Sequence, residues 1–496
     1  MKRTRFLFCL FDGLRRDMIH PKLMPNLARF RATCCDYPNS TSAFPSETRV
    51  QVSSFVTGAY AGGTALPNKT GSGDGHGIMA NAFYDPALGF DQPMDTSDTP
   101  RMEQAKSLYG RLQKAENLGE VLARAGRKYA VLTTGKIGNA RLLNTNAAEL
   151  GQVVFSIWGA DVSSPAANHD SIIQRFGPVP DQTLPNIEVT EYATTVLLEH
   201  MIPEHDADVQ VIWFNEPDLT YHYRGIGTPE SEVAVRSVDT AFGRILDWWD
   251  AEGCTDGWQV IAASDHGQIT VTGQVNVVDI LNQAGFRAGP AITDDFDVAV
   301  KRSSSGQITV RDRDPRLIAE VLAFLQQQDW CGLTFTRTGG KGSLSMSVIN
   351  GLNERSPDIN YIMRSNDGAN DWGYPGLCVA DNFDIPIGGG IHGGLQKIEI
   401  NNLLVMGGNV FKRAVSSDTP TSIIDIAPTI LQSLGLSVPD TAMGRPLTEA
   451  FTDGPAAPAW RERVEHARSN GYAQEMTVAD VEGSLVGYLR GGRRNV

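Results

Sequence analysis

Short, mostly apolar runs recur along this chain, and they alternate with stretches of helical spacing. The runs are RFLFCLF (5–11), KYAVLTT (128–134), QVVFSIW (152–158), VQVIWFN (209–215), WQVIAAS (258–264) and NNLLVMGG (401–408). Such runs, short and without polar alternation, predict strands buried on both faces. Apolar residues at three- and four-residue intervals predict helices over 24–32, 47–58, 117–126, 189–202 and 231–253. Strands alternating with helices predict an α/β fold, with a mostly parallel central sheet flanked by helices on both faces.

Between residues 290 and 374 the pattern changes. VAVKRSSSGQITVRD (298–312) reads as a hairpin and DPRLIAEVLAFLQQQ (314–328) as a helix. This segment is expected to be a smaller α+β insertion or cap on a core formed by 1–289 and 375–450. Within that core, TSIIDIAPTILQSLGL (421–436) reads as a capped helix stopped at Gly435. Residues 451–496 open with a Pro and Ala linker and continue as a mixed tail, expected to wrap the core or a second copy of the chain. The second alternative leaves a homo-oligomer open.

Composition narrows the partners. A formal net charge of −14 over 496 residues argues against a nucleic-acid polymer or an acidic membrane surface. The start, MKRTRFLFCLF, has the basic opening and brief apolar run of a signal peptide. It leads straight into charged DGLRRD without a small-residue cleavage site, so a buried first strand is expected instead. No apolar run is long enough to span a bilayer. The six cysteines, at 9, 34, 35, 254, 331 and 378, show no CxxC or zinc-finger spacing; reduced thiols in a cytoplasmic protein are expected, with a redox feature at the adjacent Cys34 and Cys35 as the alternative.

The chemistry-bearing residues lie where the apolar runs end. Asp12 closes the first run, Asp218 follows the fourth with His222 four residues later, and Asp265 and His266 close the fifth in SDHG. Taken alone, Asp12 fits a helix cap and SDHG fits a turn. Acids delivered to the ends of parallel strands lie where open α/β sheets bind ligands, and the spacing of Asp218 and His222 puts both on one helical face. His392, in GIHGGL, has glycines on both sides that permit a tight loop. Three carboxylates and three imidazoles make a set able to hold two divalent ions for phosphoryl transfer. A hydroxyl nucleophile is available in AFPSETRV, where Ser46, Glu47 and Thr48 enter a helix whose first turn favours anions; the same residues also make an ordinary helix start.

DGLRRDMI with MPNLARF, the FPSETRV to VTG block, HGIMANAFYDP, EPD-x-x-x-H, SDHG and the late HGG together resemble the alkaline phosphatase superfamily, in its nucleotide pyrophosphatase and phosphodiesterase branch. The resemblance runs from about residue 5 to 285 and from about 385 to 447. It implies an alkaline phosphatase-like fold, two divalent ions, zinc foremost with manganese or iron as alternatives, and hydrolysis through a phosphothreonine. Carried over by motif, one ion falls to Asp218, His222 and His392, and the other to Asp12, Asp265 and His266 beside the nucleophile Thr48. Thr48 is preferred to Ser46 because its interval to Gly58 matches the family's. Asn81 corresponds to the asparagine that hydrogen-bonds a phosphoryl oxygen, and Tyr84 to a neighbouring pocket residue.

Three departures bear on substrate. Arg49 stands where related nucleotide hydrolases often place an aromatic, as either a clamp for extra anionic oxygens or a solvated helix-surface residue. The loop from Gly58 to His76 is long and glycine-rich, and is expected to cover the site or open another pocket. His392 sits in HGGL rather than HGYDN. The expected partner is therefore a small phosphate ester, with a phosphodiester first and a phosphomonoester or phosphonate as alternatives. PSETR lacks a sulfatase motif, and a non-catalytic, metal-stabilised binding protein is the distant rival.

Overall fold

The computed structural model describes residues 3–63 and 74–495. Its largest element is an eight-stranded sheet, and all six apolar runs lie in it. Arg5–Phe11 is central, parallel to Val209–Phe214 on one side and to Trp258–Ala263 on the other. Tyr129–Thr133 and Val153–Ser156 extend the parallel part outward from Val209–Phe214. Leu404–Gly407 pairs antiparallel to Trp258–Ala263, and two short strands, Cys35–Asp36 and Val415–Ser416, complete that edge.

Both faces are covered, which explains the unbroken apolar runs. Phe6, Phe8 and Leu10 pack on one side against helices Thr48–Thr57, Leu118–Arg124, Ile137–Leu143 and Ile426–Ser433. Leu7, Cys9 and Phe11 pack on the other against Pro25–Thr33, Ile187–Val196 and Pro229–Trp248. Helix Thr48–Thr57 is enclosed all round, with every residue from Arg49 to Thr57 buried. Its Phe55 stacks on Phe8 at a centroid separation of 4.1 Å. That contact fixes the helix to the strand that ends at Asp12.

The register aligns the ends of the central strands. Phe11 stands opposite Phe214, and Leu10 opposite Ala263. Whatever follows these residues emerges on one rim of the sheet, so Asp12, Asp218 and Asp265 are delivered to one place by strand pairing.

Residues from 288 onward build a second, six-stranded sheet, ordered Ala288–Gly289, Val298–Lys301, Ser305–Val310, Ile359–Met363, Cys331–Thr336 and Leu344–Ser345. Helix Pro315–Gln326 packs against it through Val321, Leu322 and Leu325. The expected hairpin is present, with Val298 opposite Val310 and Lys301 opposite Gln307. A four-stranded sheet joins the two regions, because Ile269–Gln274, directly after the SDHG turn, pairs with Pro375–Ala380 and Gly390–Ile391.

The tail is a three-stranded antiparallel meander over Trp460–Ser469, Tyr472–Val481 and Tyr488–Asn495. Met476, Val478 and Leu489 pack on Phe44, Leu333, Phe335 and Leu395 of the same chain. These tail residues therefore cover the chain's own body. Among the described residues no helix is long and apolar enough to cross a membrane.

Candidate metal centre and active site

Backbone contacts at the sheet rim lock the acids together. The Asp218 N–H donates to the Asp12 carbonyl at 3.0 Å, and the Gly13 N–H donates to Asp265 Oδ1 at 3.0 Å. Gly13 has φ +69, and a Cβ there would lie 2.9 Å from Asp218 Cβ, so only glycine lets the two segments approach this closely. Buried Glu216 secures the start of the helix Asp218–Arg224 by accepting from Asn186 N–H, Thr220 N–H and the Thr220 hydroxyl. Burial pushes its carboxyl up to about 7.

Each of the three histidines is oriented through Nδ1. His222 donates to the Gly390 carbonyl (2.8 Å), His266 to Gly267 (3.1 Å) and His392 to Ser46 (2.6 Å). Protonation at Nδ1 leaves Nε2 as a lone-pair donor, and all three Nε2 atoms face carboxylates. His222 Nε2 is 3.3 Å from Asp218 Oδ2, and His392 Nε2 is 3.5 Å from Asp218 Oδ1. His266 Nε2 is 3.2 Å from Asp265 Oδ2 and 3.5 Å from Asp12 Oδ1. The His266 and His392 rings stack at 3.7 Å.

Two sets of ligand atoms each fall within 4.8 Å: Asp218, His222 and His392, and then Asp12, Asp218 and His266. Asp218 thus stands between the sets, whereas sequence reasoning assigned it to one. Asp265 Oδ2 is buried without a hydrogen-bond partner, the condition of a ligand atom awaiting a cation. Two buried carboxylates, Asp12 and Asp265, and the partly buried Asp218 crowd against three imidazoles, and this donor set of nitrogen and carboxylate oxygen fits a pair of divalent cations.

Electrostatics agree with that fit. Burial, reinforced by Asp265 and Asp218, raises the Asp12 carboxyl well above its ordinary range, and burial raises Asp265 to about 7. Burial also favours protonation of Asp218, but the facing imidazoles of His222, His392 and His266 outweigh it and hold this carboxyl well below the usual range. Burial lowers His266 to about 4 and His392 to about 3, so both rings are neutral lone-pair donors near neutrality.

Thr48 opens its helix beside this cluster. Its Oγ1 lies 3.3 Å from His266 Nε2 and 3.5 Å from Asp12 Oδ1. The Ser46 hydroxyl is otherwise engaged, donating to the Gly394 carbonyl and accepting from the Gly393 N–H, both at 3.0 Å. Asn81 Oδ1 accepts from the Arg49 N–H at 3.1 Å, which ties the asparagine to the first turn of the Thr48 helix.

Arg49 is neither solvated nor open-handed. Its side chain is buried, and its guanidinium donates to Ser97 Oγ and to the Asn81 carbonyl, with Asp95 at 3.7 Å. Tyr84 donates its hydroxyl to the Pro290 carbonyl, so that group links to the following region of the chain. Of the loop from Gly58 to His76, residues 64–73 lie outside the described residues.

Sequence reasoning missed several groups around the centre. Trp213 Nε1–H donates to Asp12 Oδ2 at 3.1 Å, and the Gln268 amide donates to Asp218 Oδ1. Arg15, fully buried, donates to the Gln268 and Pro375 carbonyls. Glu47 accepts from Asn81 N–H, Lys301 Nζ and the Ser303 hydroxyl. Gln268, two residues beyond His266, and Glu47, directly before Thr48, lay next to motif residues; the contacts of Trp213 and Arg15 had no local signal.

The profile of type I phosphodiesterases / nucleotide pyrophosphatases matches residues 7–329. Human ectonucleotide pyrophosphatase/phosphodiesterase family member 7 is 38% identical over 68 residues, covering 14% of this chain and 15% of that protein. The rat protein of the same name is 35% identical over 68 residues, covering 14% and 16%. The matched stretch is thus a small part of either relative. Murine ectonucleotide pyrophosphatase/phosphodiesterase 5, solved in an inactive form in complex with AMP, shares the fold with a TM-score of 0.58. That match covers 88% of this chain and 96% of the murine one at 16% identity.

Proposed function

The chain belongs to the type I phosphodiesterase / nucleotide pyrophosphatase family, and from that premise we propose that it hydrolyses small phosphodiesters at a two-ion centre through a phosphothreonine on Thr48. The observation that carries the proposal is the convergence of three Nε2 atoms and three carboxylates, two of them buried, beside the Thr48 hydroxyl. Asp218, His222 and His392 would hold one ion, and Asp12, Asp265 and His266 the other. Zinc suits these donors best, with manganese or iron as alternatives. When bound, the ions supply the positive charge that lowers the pKa of a hydroxyl and offsets charge on phosphoryl oxygens.

The protein's own groups do the rest. Thr48 Oγ1 loses its proton and attacks phosphorus in line, the P–O bond to the leaving group breaks and the leaving oxygen is protonated to the alcohol, and water then cleaves the Thr48–phosphorus ester to release the phosphomonoester and restore the Thr48 hydroxyl. Asn81, whose carbonyl oxygen is occupied by the Arg49 N–H, has its amide N–H2 left to donate to an equatorial phosphoryl oxygen. Neutral His266 and His392, held by backbone carbonyls, keep the ligand geometry fixed through both steps.

Charge supports a diester over a monoester. Arg49, directly after Thr48, and Lys301, paired with the preceding Glu47, are both engaged by protein acceptors. Neither is left to neutralise the additional charge of a monoester or phosphonate. The likeness to the murine enzyme solved with AMP makes nucleotide esters the first substrates to try. The test is hydrolysis of a chromogenic diester by ion-loaded and chelated protein, with metal content measured for wild type and Asp265→Asn. The proposal expects turnover only when loaded and reduced metal content in the variant. Equal turnover after complete chelation would overturn it.

A further inference from the structure

The smaller sheet contributes directly to the site. Its hairpin turn, between Val298–Lys301 and Ser305–Val310, comes down on the two loops that flank the Thr48 helix. Lys301 Nζ donates to Glu47 Oε1 at 3.0 Å, and Ser303 Oγ donates to the same oxygen at 3.1 Å. Glu47 Oε2 accepts from the Asn81 N–H at 2.6 Å, and Asn81 Oδ1 accepts from the Arg49 N–H. On the opposite side Ser304 donates to the His392 carbonyl. Gly393, with φ +119, makes room, because a Cβ there would lie 2.6 Å from Ser304 Oγ and 3.5 Å from Glu47 Cγ.

We infer that Lys301 is a positioning residue of the hydrolytic site, acting through Glu47 to hold Asn81 and the first turn of the Thr48 helix in register. The inference rests on the reading of Thr48 as nucleophile. A hairpin lysine is ordinarily solvated, yet this side chain is only 13% exposed and that of Glu47 4%. Burying such a pair costs desolvation that the pairing must offset, and an exposed lysine would avoid the cost altogether. What the burial secures is geometry: one carboxylate joins the insertion, the asparagine and the residue preceding Thr48. Removing the ammonium leaves Glu47 buried without its cation, and the Asn81 backbone loses its fixed acceptor.

The experiment compares Lys301→Met, Lys301→Arg, Glu47→Gln and the Lys301→Met/Glu47→Gln double variant in the ion-loaded enzyme, with Thr48→Ala alongside. Metal content and Tm are measured for each, and a chromogenic diester is the substrate. Misplacement of the catalytic groups predicts a fall in kcat of about 10- to 100-fold for Lys301→Met, with KM changed by less than about 2-fold. Lys301→Arg should recover most of the rate, and the double variant should be no slower than Glu47→Gln. A rise in KM that adds to the effect of Glu47→Gln would place Lys301 on the substrate and overturn the inference, as would an unchanged kcat. Wild-type turnover in Thr48→Ala would instead overturn the nucleophile assignment.

Discussion

His392 donates its Nδ1–H to the carbonyl of Ser46 at 2.6 Å, across 346 residues of chain. One hydrogen bond thereby fixes the tautomer of a candidate metal ligand and the approach of the loop that carries Thr48. The late HGG turn and the early FPSET segment, separate motifs in sequence, are one structural unit at the sheet rim.

Trp213 tests the importance of such support for the acids. Its indole N–H is a donor to Asp12 Oδ2, so Trp213→Phe removes a hydrogen bond to a ligand without removing the ligand. Metal affinity should fall by roughly 10-fold or more. Competition with a chromogenic chelator measures it, and unchanged affinity would show that the indole has no hold on the centre.

The ion-free protein should lose stability as pH rises. Asp265 has an ordinary value near 3.8 when unfolded and about 7 when buried in the fold. Between those values the folded state holds a proton that the unfolded state has released, so acidification favours folding and the contribution disappears as pH climbs through 7. Glu216 and Glu399, both raised to about 7 by burial, and Asp425, raised to about 6, act in the same direction; His266 and His392, lowered to about 4 and 3, act against them below about 6.5, and the more numerous acids set the net sign. Tm in chelator should therefore be higher at pH 5 than at pH 7.5. Divalent ions should narrow or reverse the difference, because they bind the deprotonated ligands. A chelated protein most stable at pH 7.5 would contradict this electrostatic picture.

The Thr48 helix depends on the core. Phe55, stacked on Phe8, anchors it to the strand bearing Asp12. Phe55→Ala should destabilise the protein by about 3–5 kcal/mol, read by urea unfolding of the ion-loaded enzyme. A loss below about 1 kcal/mol would mean that the helix is held elsewhere.

How much of this was legible in sequence depended on the range of the interactions. The six strands of the apolar runs were visible because burial on both faces leaves few polar residues in them. Cys35–Asp36 and Val415–Ser416 are too short to show any period, and the tail strand WRERVEHARS alternates charged residues on a largely exposed ribbon. Asp12, Asp218 and Asp265 could be found because register carries strand ends to one rim. Arg49 could not be settled, since Ser97, Asp95 and the space left by Gly138 are brought to it only by folding. Lys301 likewise meets Glu47 across 254 residues, with no local pattern to announce it.

That environment changes what Arg49 is expected to do. With its guanidinium committed to Ser97 and the Asn81 carbonyl, Arg49→Met should lower Tm and leave the ratio of diester to monoester kcat/KM within about 3-fold of wild type. A selective loss of monoester turnover would return Arg49 to the substrate.

The most direct test of the central claim is to quench the ion-loaded enzyme during turnover of a diester and look for phosphorylated ester on the protein by peptide mass spectrometry, in wild type and Thr48→Ala. The account predicts a modified peptide containing Thr48 in wild type, and neither adduct nor turnover in the variant. Wild-type turnover by Thr48→Ala, or an adduct on another residue, would contradict it.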